Sequence, residues 1–450
     1  MRRANDLGKD PIWSLVLKLS IPSMIAQFVN VLYSIIDRMY IGNIHAIGEL
    51  ALAGVGICGP IVTLLSSFGT LVGLGGSILM AMKMGEGNRK EAKHILSNSF
   101  LMLTVLSLIL TVIFLLFKNK LLFWFGASNV TFEYANTYMT IYTLGTFFAL
   151  MAVGLNYFIT CQGFPTISMF TVLLGTVTNI ILDPIFIFVL NMGVAGAAIA
   201  TVIAQIFSCS FALWFLFGKT IPIKITFGNY SKKIMKGIVK IGVSPFLILA
   251  SDSIIIILMN AILKHYGGKN GDMLISCATI VQSYLMLVTG PMLGITGGTQ
   301  AIISYNYGAQ NHDRVLKAEK YILILCASFT TIMFAISRII PQYFVEIFTK
   351  EPEYISLSVW GIKAFTLGII PLAAQYTFVD GLTALGCTKA ALCLSMFRKS
   401  VYVISTFFLP MFFATRNVFY AQPIADMIST VVSTVTYLLL FKKHLYRKSY

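Results

Sequence analysis

Four polar side chains, Gln27, Asn30, Ser34 and Asp37, stand at offsets of 0, 3, 7 and 10 in PSMIAQFVNVLYSIIDRMYIG, an otherwise apolar stretch from Pro22 to Gly42. At 100° per residue they fall in a wedge of about 80°, so a helix here carries one polar stripe. A carboxylate on a helix of lipid-spanning length costs several kcal/mol unless it faces protein, water or a cation. Asp37 therefore reads as a cation or proton site. The competing reading is a structural partner for an arginine, since Arg38 is adjacent.

A second constellation lies in LLGTVTNIILDPIFIF, where Thr176, Asn179 and Asp183 occupy offsets of 0, 3 and 7. They share a wedge of about 60°. Pro184 follows at once, and a proline within a helix frees a carbonyl on the preceding turn. The next apolar run, GVAGAAIATVIAQ, places Thr201, Gln205 and Ser208 on one face, and an earlier one contributes Asn156. Carboxylates, amides and hydroxyls are hard oxygen donors suited to Na⁺ or H⁺ and not to a soft metal. Two carboxylates in one site resist being ionised together, so a proton can replace a metal cation there. Asp37 and Asp183 are the expected coupling pair. Asn179, Asn156, Thr201, Gln205 and Ser208 are the neighbouring oxygen donors, Thr being the weaker signal because a helical threonine usually bonds its own backbone carbonyl. In the second half Asp252, Asp380 and Asp426 are the intramembrane acids, Asp426 lying in a stripe with Gln422, Ser429 and Ser433. These three acids read as groups that attract a cationic substrate or take a proton, or else as structural hydrogen-bond partners, and with Gln27, Asn30 and Asn260 they are the candidates for substrate contact.

These residues belong to a chain of 450, 57% hydrophobic and 11% charged, with mean hydropathy +0.83. A soluble domain of that size needs far more surface charge, so the chain is an all-α polytopic membrane protein. Breaks at Pro, Gly and charge divide it into twelve transmembrane helices, at about 14–40, 50–82, 94–117, 134–160, 167–190, 194–217, 236–263, 277–306, 318–340, 357–385, 392–414 and 420–441. Several exceed the roughly 20 residues a crossing needs, so tilted or kinked helices are expected.

The net charge of +16 does not call for nucleic acid. Lys and Arg gather before and early in the first span, around 83–93, at 219–240, 314–320 and 389–399, and after 441. These are alternate loops, which places both termini in the cytoplasm. The basic runs then orient the chain and meet anionic lipid. No cleavable leader is expected, because the first apolar segment is long and interrupted by Gln27 and Asn30. All seven cysteines fall in or at the ends of spans without a CxxC pair, which suggests neither disulfides nor a metal cluster. The five histidines lie in loops, at span ends or in the tail, so no His-based catalytic site is available at membrane depth, and an enzyme is not expected.

Halfway along, the pattern returns. GPMLGITGGTQAIISYNYGAQNHDRVLK at 290–317 echoes GTLVGLGGSILMAMKMGEGNRKEAK at 69–93, pairing Gly85 with Gly308 and Asn88 with Asn311, while Pro22 pairs with Pro245. The chain thus reads as two six-helix bundles in a parallel repeat: an N-lobe at 1–217, a cytoplasmic linker at 218–235 and a C-lobe at 236–450. By local offsets Asp37 pairs with Asn260, Asn179 with Ser405, Asp183 with Leu409 and Thr201 with Met427. The second half lacks both carboxylates, so the cation site is expected in the N-lobe only.

Several runs resemble the multidrug and toxic compound extrusion (MATE) transporters. They are the Pro22–Gly42 stretch, LNYFITCQGFP at 155–165, and NIILDPIFIF with GVAGAAIAT between 179 and 201. ISYNYGAQNHDRV at 303–315, GLTALGCTKAAL at 381–392 and AQPIADMIS at 421–429 resemble its MepA-type bacterial branch. The resemblance implies a twelve-helix pair of bundles exporting organic cations in exchange for Na⁺ or H⁺, with first-lobe ligands at Asp37, Asn179, Asp183 and Thr201 and Asn156 close by. It implies acids in the seventh and tenth helices of some branches, onto which Asp252 and Asp380 do not align clearly. The expected function is therefore a secondary antiporter working by alternating access, as a monomer, on small organic cations, without a cofactor beyond the coupling ion. A lipid-linked precursor flippase is the nearest rival, weakened because the intramembrane charges read as acidic. An intramembrane enzyme and a non-transporting receptor or scaffold are rivals of other classes.

Overall fold

The structure, a computed structural model, describes residues 5–44, 47–219, 221–268 and 271–445. Within these ranges the side chains of Glu49, Ser253, Ile257, Asn260, Lys264, Asp272 and residues 441–445 lie outside the description. The described residues form helices joined by turns and short irregular stretches, with no strand among them. In chain order the helices are α1 (Ile12–Gly42), α2 (Gly48–Gly85), α3 (Arg89–Trp124), α4 (Phe132–Leu144), α5 (Thr146–Cys161), α6 (Pro165–Pro184), α7 (Gly193–Phe217), α8 (Lys232–Gly267), α9 (Gly271–Gly308), α10 (His312–Ile339), α11 (Pro341–Val345), α12 (Pro352–Phe365), α13 (Ile369–Ala384), α14 (Thr388–Phe412) and α15 (Ala421–Leu445). Among the described residues, eleven stretches are long and apolar enough to cross a membrane, α12 with α13 counting as one. The pair α4 and α5, bent by 58°, makes the twelfth. All twelve predicted spans fall on these helices, and most helices run beyond their predicted ends.

The helices are lipid-adapted, with large apolar groups outside and small or polar ones inside. On α3, Val105, Leu108, Ile109, Val112 and Leu116 are exposed while Ser97, Ser99, Ser107 and Leu103 are buried. Buried hydroxyls are mostly satisfied within their own helix, as in Thr299 Oγ1 to Ile295 O (2.6 Å) and Thr330 Oγ1 to Cys326 O (3.0 Å). Where water is absent, a backbone carbonyl four residues back is the nearest available acceptor.

Two compact units result. Unit 1 comprises Met1–Asp10, Ile25–Ala250 and Ser304–Gln310, and unit 2 comprises Pro11–Met24, Ser251–Ile303 and Asn311–Tyr450. Long helices thus divide: α1 begins in unit 2, and α8 begins in unit 1. The repeat accounts for this pattern. In unit 1, α2 crosses α8 so closely that a methyl at Gly75 would strike Ile238 O, and one at Gly242 would strike Leu71 O. In unit 2 the equivalent residue of α9, Gly298, lies against Ser23 and Leu19 O of α1. Only a residue without a β-carbon lets two backbones approach this closely.

Turn chemistry repeats as well. Asn88 caps α3 by accepting from Glu91 N (3.0 Å), and Asn311 caps α10 by accepting from Arg314 N (3.4 Å). The residue before each cap has positive φ, Gly87 at 77° and Gln310 at 56°. The 218–235 stretch is stitched onto unit 1. Ile223 N donates to Gln162 Oε1 (2.9 Å), Ser97 Oγ donates to Gly228 O (3.0 Å), and Ser231 N donates to Asn98 Oδ1 (2.8 Å), while Ile221, Ile223 and Ile225 are buried.

Candidate functional site

In unit 1 the close packing of α6 on α7 sets up the first acidic constellation. Gly175 leaves room for Ser208 of α7, whose hydroxyl donates to Thr171 O at 2.7 Å. One turn further along this seam, Asn179 Nδ2 donates to Asp183 Oδ1 at 3.2 Å and approaches Thr201 Oγ1 at 3.4 Å, and Thr201 donates to Ala197 O at 2.9 Å. Directly after Asp183 and Pro184 the helix widens into a π turn over Ile185–Val189, closed by Leu190 N to Ile185 O at 2.9 Å. Proline supplies no N–H there, and single π turns are common at functional positions.

From α1, Asp37 reaches the same place. It is 9% exposed, and its carboxyl faces that of Asp183, which is fully buried. The hydroxyls of Tyr33, one turn earlier on α1, and Tyr138 of α4 face Thr201 and the Asp37 side of the cluster. Arg38 is exposed and forms no salt bridge with Asp37 among the described residues. Asp37 Oδ1, Asn179 Oδ1 and Asp183 Oδ2 are buried and receive no hydrogen bond. Three unsatisfied acceptor oxygens, two of them on facing carboxyl groups, form an environment that positive charge stabilises. A proton on the pair or a hard monovalent cation among the oxygens meets that demand.

The other candidates divide. Asn156 on α5 has a buried amide oxygen without a donor, but makes no hydrogen bond to Asp37, Asn179, Asp183 or Thr201. Gln27, Asn30 and Ser34 share Asp37's stripe yet are exposed. At 1.5 Å per residue, Asn30 and Gln27 lie about 10 and 15 Å along the axis from Asp37, outside the layer that α6 and α7 close. Asn260 lies outside the described side chains.

Unit 2 corrects the expectation that its intramembrane charges are acidic. Arg398 and Lys399 are ten and eleven residues into α14, well past the inner edge at which the charge pattern placed them. Arg398 Nη1 donates to the fully buried Asp426 at 3.0 Å and lies over the Tyr376 ring at 5.5 Å, and Gln422 Nε2 donates to both Asp426 oxygens at 3.0 Å. Lys399 Nζ contacts Asp252 Oδ1 at 2.7 Å and Ser251 Oγ at 2.8 Å. Asp252 and Asp426 are thus each neutralised by a neighbour. Asp380 faces Thr296 and Gln300 of α9. Tyr33, Arg398 and Lys399 were not among the sequence candidates. Counting from Thr388 locates the two basic residues at depth, whereas Tyr33 is recognisable only as the residue one turn before Asp37.

The MatE family model matches the chain twice, over residues 22–185 and 246–409, which restates the internal repeat in terms of a known family. "Multidrug export protein MepA" of Staphylococcus haemolyticus is 26% identical over 428 residues, covering 93% of this chain and 91% of that protein. The protein of the same name from Staphylococcus aureus (strain MSSA476) is 24% identical over 438 residues, covering 96% and 95%. Among solved structures, an outward-facing multidrug resistance MATE family transporter of the MOP superfamily superposes with TM-score 0.91 at 23% identity, covering 98% of this chain and 99% of that one. A MOP superfamily transporter from Pyrococcus furiosus, described as having a binding pocket of reversed polarity, superposes with TM-score 0.91 at 23% identity, covering 99% and 100%.

Proposed function

The chain belongs to the MatE family, and on that premise we propose that it is a multidrug exporter: a secondary antiporter that expels small organic cations in exchange for Na⁺ or H⁺ by alternating access. The observation that carries the coupling half is the set of buried, donorless oxygens on Asp37, Asn179 and Asp183. A coupling cation drives export only if it binds one facing of the protein more tightly than the other. Occupancy of this site, which draws α1 onto α6 and α7, supplies such a difference. Thr201 orients Asn179, and Asn156 is a further oxygen donor from α5. The export half rests on the curated relatives, both multidrug export proteins matched over nearly their full length.

The same reading takes 1–217 and 236–450 as the two repeat lobes about a cytoplasmic linker at 218–235. It places both termini in the cytoplasm of a plasma or inner membrane and has one chain as the working unit, with no enzymatic step. The flippase alternative is not favoured, because the intramembrane Arg398 and Lys399 are occupied by Asp426 and Asp252 and do not stand free to grip a pyrophosphate.

The test is efflux of a fluorescent organic cation from proteoliposomes under an imposed Na⁺ gradient and, separately, an imposed pH gradient. Asp37→Asn and Asp183→Asn should each abolish the gradient-driven component while leaving substrate binding measurable. Full driven efflux in both variants would overturn the coupling assignment.

A further inference from the structure

Unit 2 holds a second pair of acids that the site above does not use. Glu319 lies two turns into α10 and is 4% exposed, and neither carboxyl oxygen receives a well-aligned hydrogen bond. The group rests directly on the backbone of α13 at Gly381. A methyl built there would overlap Glu319 Oε1 and come within 2.8 Å of its Cδ. Next to that glycine is Asp380, whose carboxyl faces Thr296 and Gln300. Those two side chains are 2% and 3% exposed, yet Thr296 Oγ1 and Gln300 Oε1 lack well-aligned partners of their own. From α15, Tyr437 turns its hydroxyl to Glu319, its ring held by stacking on Phe378 with centroids 4.3 Å apart.

The groups facing this pair come from four helices: Thr296 and Gln300 from α9, Cys326 from α10, Asp380 itself and Tyr376 from α13, and Tyr437 from α15. No Lys, Arg or His among the described residues pairs with either carboxyl, in contrast to Asp426 with Arg398 and Asp252 with Lys399. Asp380 has two polar side chains directed at it, while Glu319 has donorless oxygens, a phenol and a bare stretch of backbone. An ionised Glu319 would put a second negative charge beside Asp380 with nothing to offset it, the arrangement a membrane interior tolerates least.

We propose that Glu319 and Asp380 form a second proton site, contained in unit 2, in which the Glu319 carboxyl carries an exchangeable proton and Asp380 is the carboxylate that Thr296 and Gln300 face. Release leaves Glu319 as a carboxylate and delivers the proton to water, with no other bond made or broken. Gly381 is part of the site because it provides the seat for the Glu319 carboxyl. The repeat positions equivalent to Glu319 and Asp380 are Leu96 and Tyr157, so this site has no counterpart in the first half.

The test uses the full-length protein in lipid nanodiscs and the infrared carboxylic-acid C=O band in pH-difference spectra, recorded in an Asp37→Asn/Asp183→Asn background so that the first pair contributes nothing. A band that disappears on alkalinisation should persist in this background and be lost on adding Glu319→Gln, with proton uptake falling by one per chain. Gly381→Ala keeps both acids and presses a methyl on the Glu319 carboxyl, so it should shift the band. This second variant decides the matter if Glu319→Gln does not fold. Absence of the band from the background, its survival in Glu319→Gln, or an unshifted band in Gly381→Ala would overturn the proposal. None of these outcomes depends on whether Asp37 and Asp183 couple transport.

Discussion

Arg398→Met should destabilise the protein severely, and the size of the effect follows from what it strands. Asp426 has a side chain with 0% exposure, and its only polar side-chain partners among the described residues are Arg398 at 3.0 Å and Gln422, also at 3.0 Å. Removing the guanidinium leaves a full negative charge facing a single amide. Removing one partner of a buried ion pair costs about 3–5 kcal/mol. Methionine retains most of the apolar stem, so little of that cost is lost packing. The lost stacking on Tyr376 adds about 0.5–2 kcal/mol. Adding Asp426→Asn removes the stranded charge and leaves a buried amide that Gln422 can still meet. The residual penalty is then that of an imperfectly bonded polar group, about 1–3 kcal/mol, so the double variant should be more stable than Arg398→Met alone. Six of the seven cysteines are buried, so a thiol-reactive fluorophore added during a thermal ramp reports unfolding directly. The expected order of midpoints is wild type, then the double variant, then Arg398→Met. Equal midpoints for the two variants, or a wild-type midpoint for Arg398→Met, would show that the pair does not neutralise Asp426, and the acid would return as a candidate for binding cationic substrate.

Asn88→Ala and Asn311→Ala remove equivalent helix caps, and each should lower stability by about 1 kcal/mol in the same thermal assay. Gln310→Gly should raise stability by roughly 1 kcal/mol, because a side chain at φ 56° carries strain that the equivalent Gly87 avoids. Gly242→Ala should be among the most damaging single-methyl additions, since the new carbon falls on Leu71 O, and its outcome is read as loss of monodisperse protein on size exclusion. In the folded protein N-ethylmaleimide should modify one cysteine, Cys393, and mass spectrometry should find that product absent from Cys393→Ala.

Twelve membrane crossings and their duplication were legible because both are written in one-dimensional patterns. Apolar run length reports a crossing, and glycine and asparagine at fixed offsets report shared turns. Asp37, Asn179, Asp183 and Thr201 were legible for a related reason: a polar residue in an apolar helix must face something, and shared angular position suggests that they face one another. Depth along the axis was less legible. Gln27 and Asn30 share Asp37's face but not its layer, and only the packing of α6 against α7 decides which layer is closed. Arg398, Lys399 and Glu319 were missed or misplaced by the same uncertainty. Spans drawn from about 392 and 318 leave Arg398 and Lys399 grouped with the basic inner loop and Glu319 at the very start of its span, whereas the helices begin at Thr388 and His312 and set these residues seven or more positions along.

The two halves have diverged in chemistry while conserving the geometry of their joints. The asparagine caps, the positive-φ turns before them and the glycine crossings of α2 on α8 and α9 on α1 all recur. Each is a backbone constraint, and a side chain that violates it displaces a whole helix. The acids face no such constraint and do not recur. Asp37 corresponds to Asn260 and Asp183 to Leu409, while Glu319 corresponds to Leu96 and Asp380 to Tyr157. A buried acid is stable only where its surroundings supply a counter-charge or a proton, so repeating it in both halves would double the electrostatic cost without improving the packing. The equivalent positions carry neutral residues, which are free of that cost. It follows that a carboxylate transplanted into the vacant position, as in Leu409→Asp, should destabilise the protein and add no coupling, because unit 2 lacks the Asn179 and Thr201 equivalents that receive it. Ion-driven efflux and thermal midpoint measured together on that variant distinguish this from a latent second copy of the first site, which would gain ion dependence without losing stability.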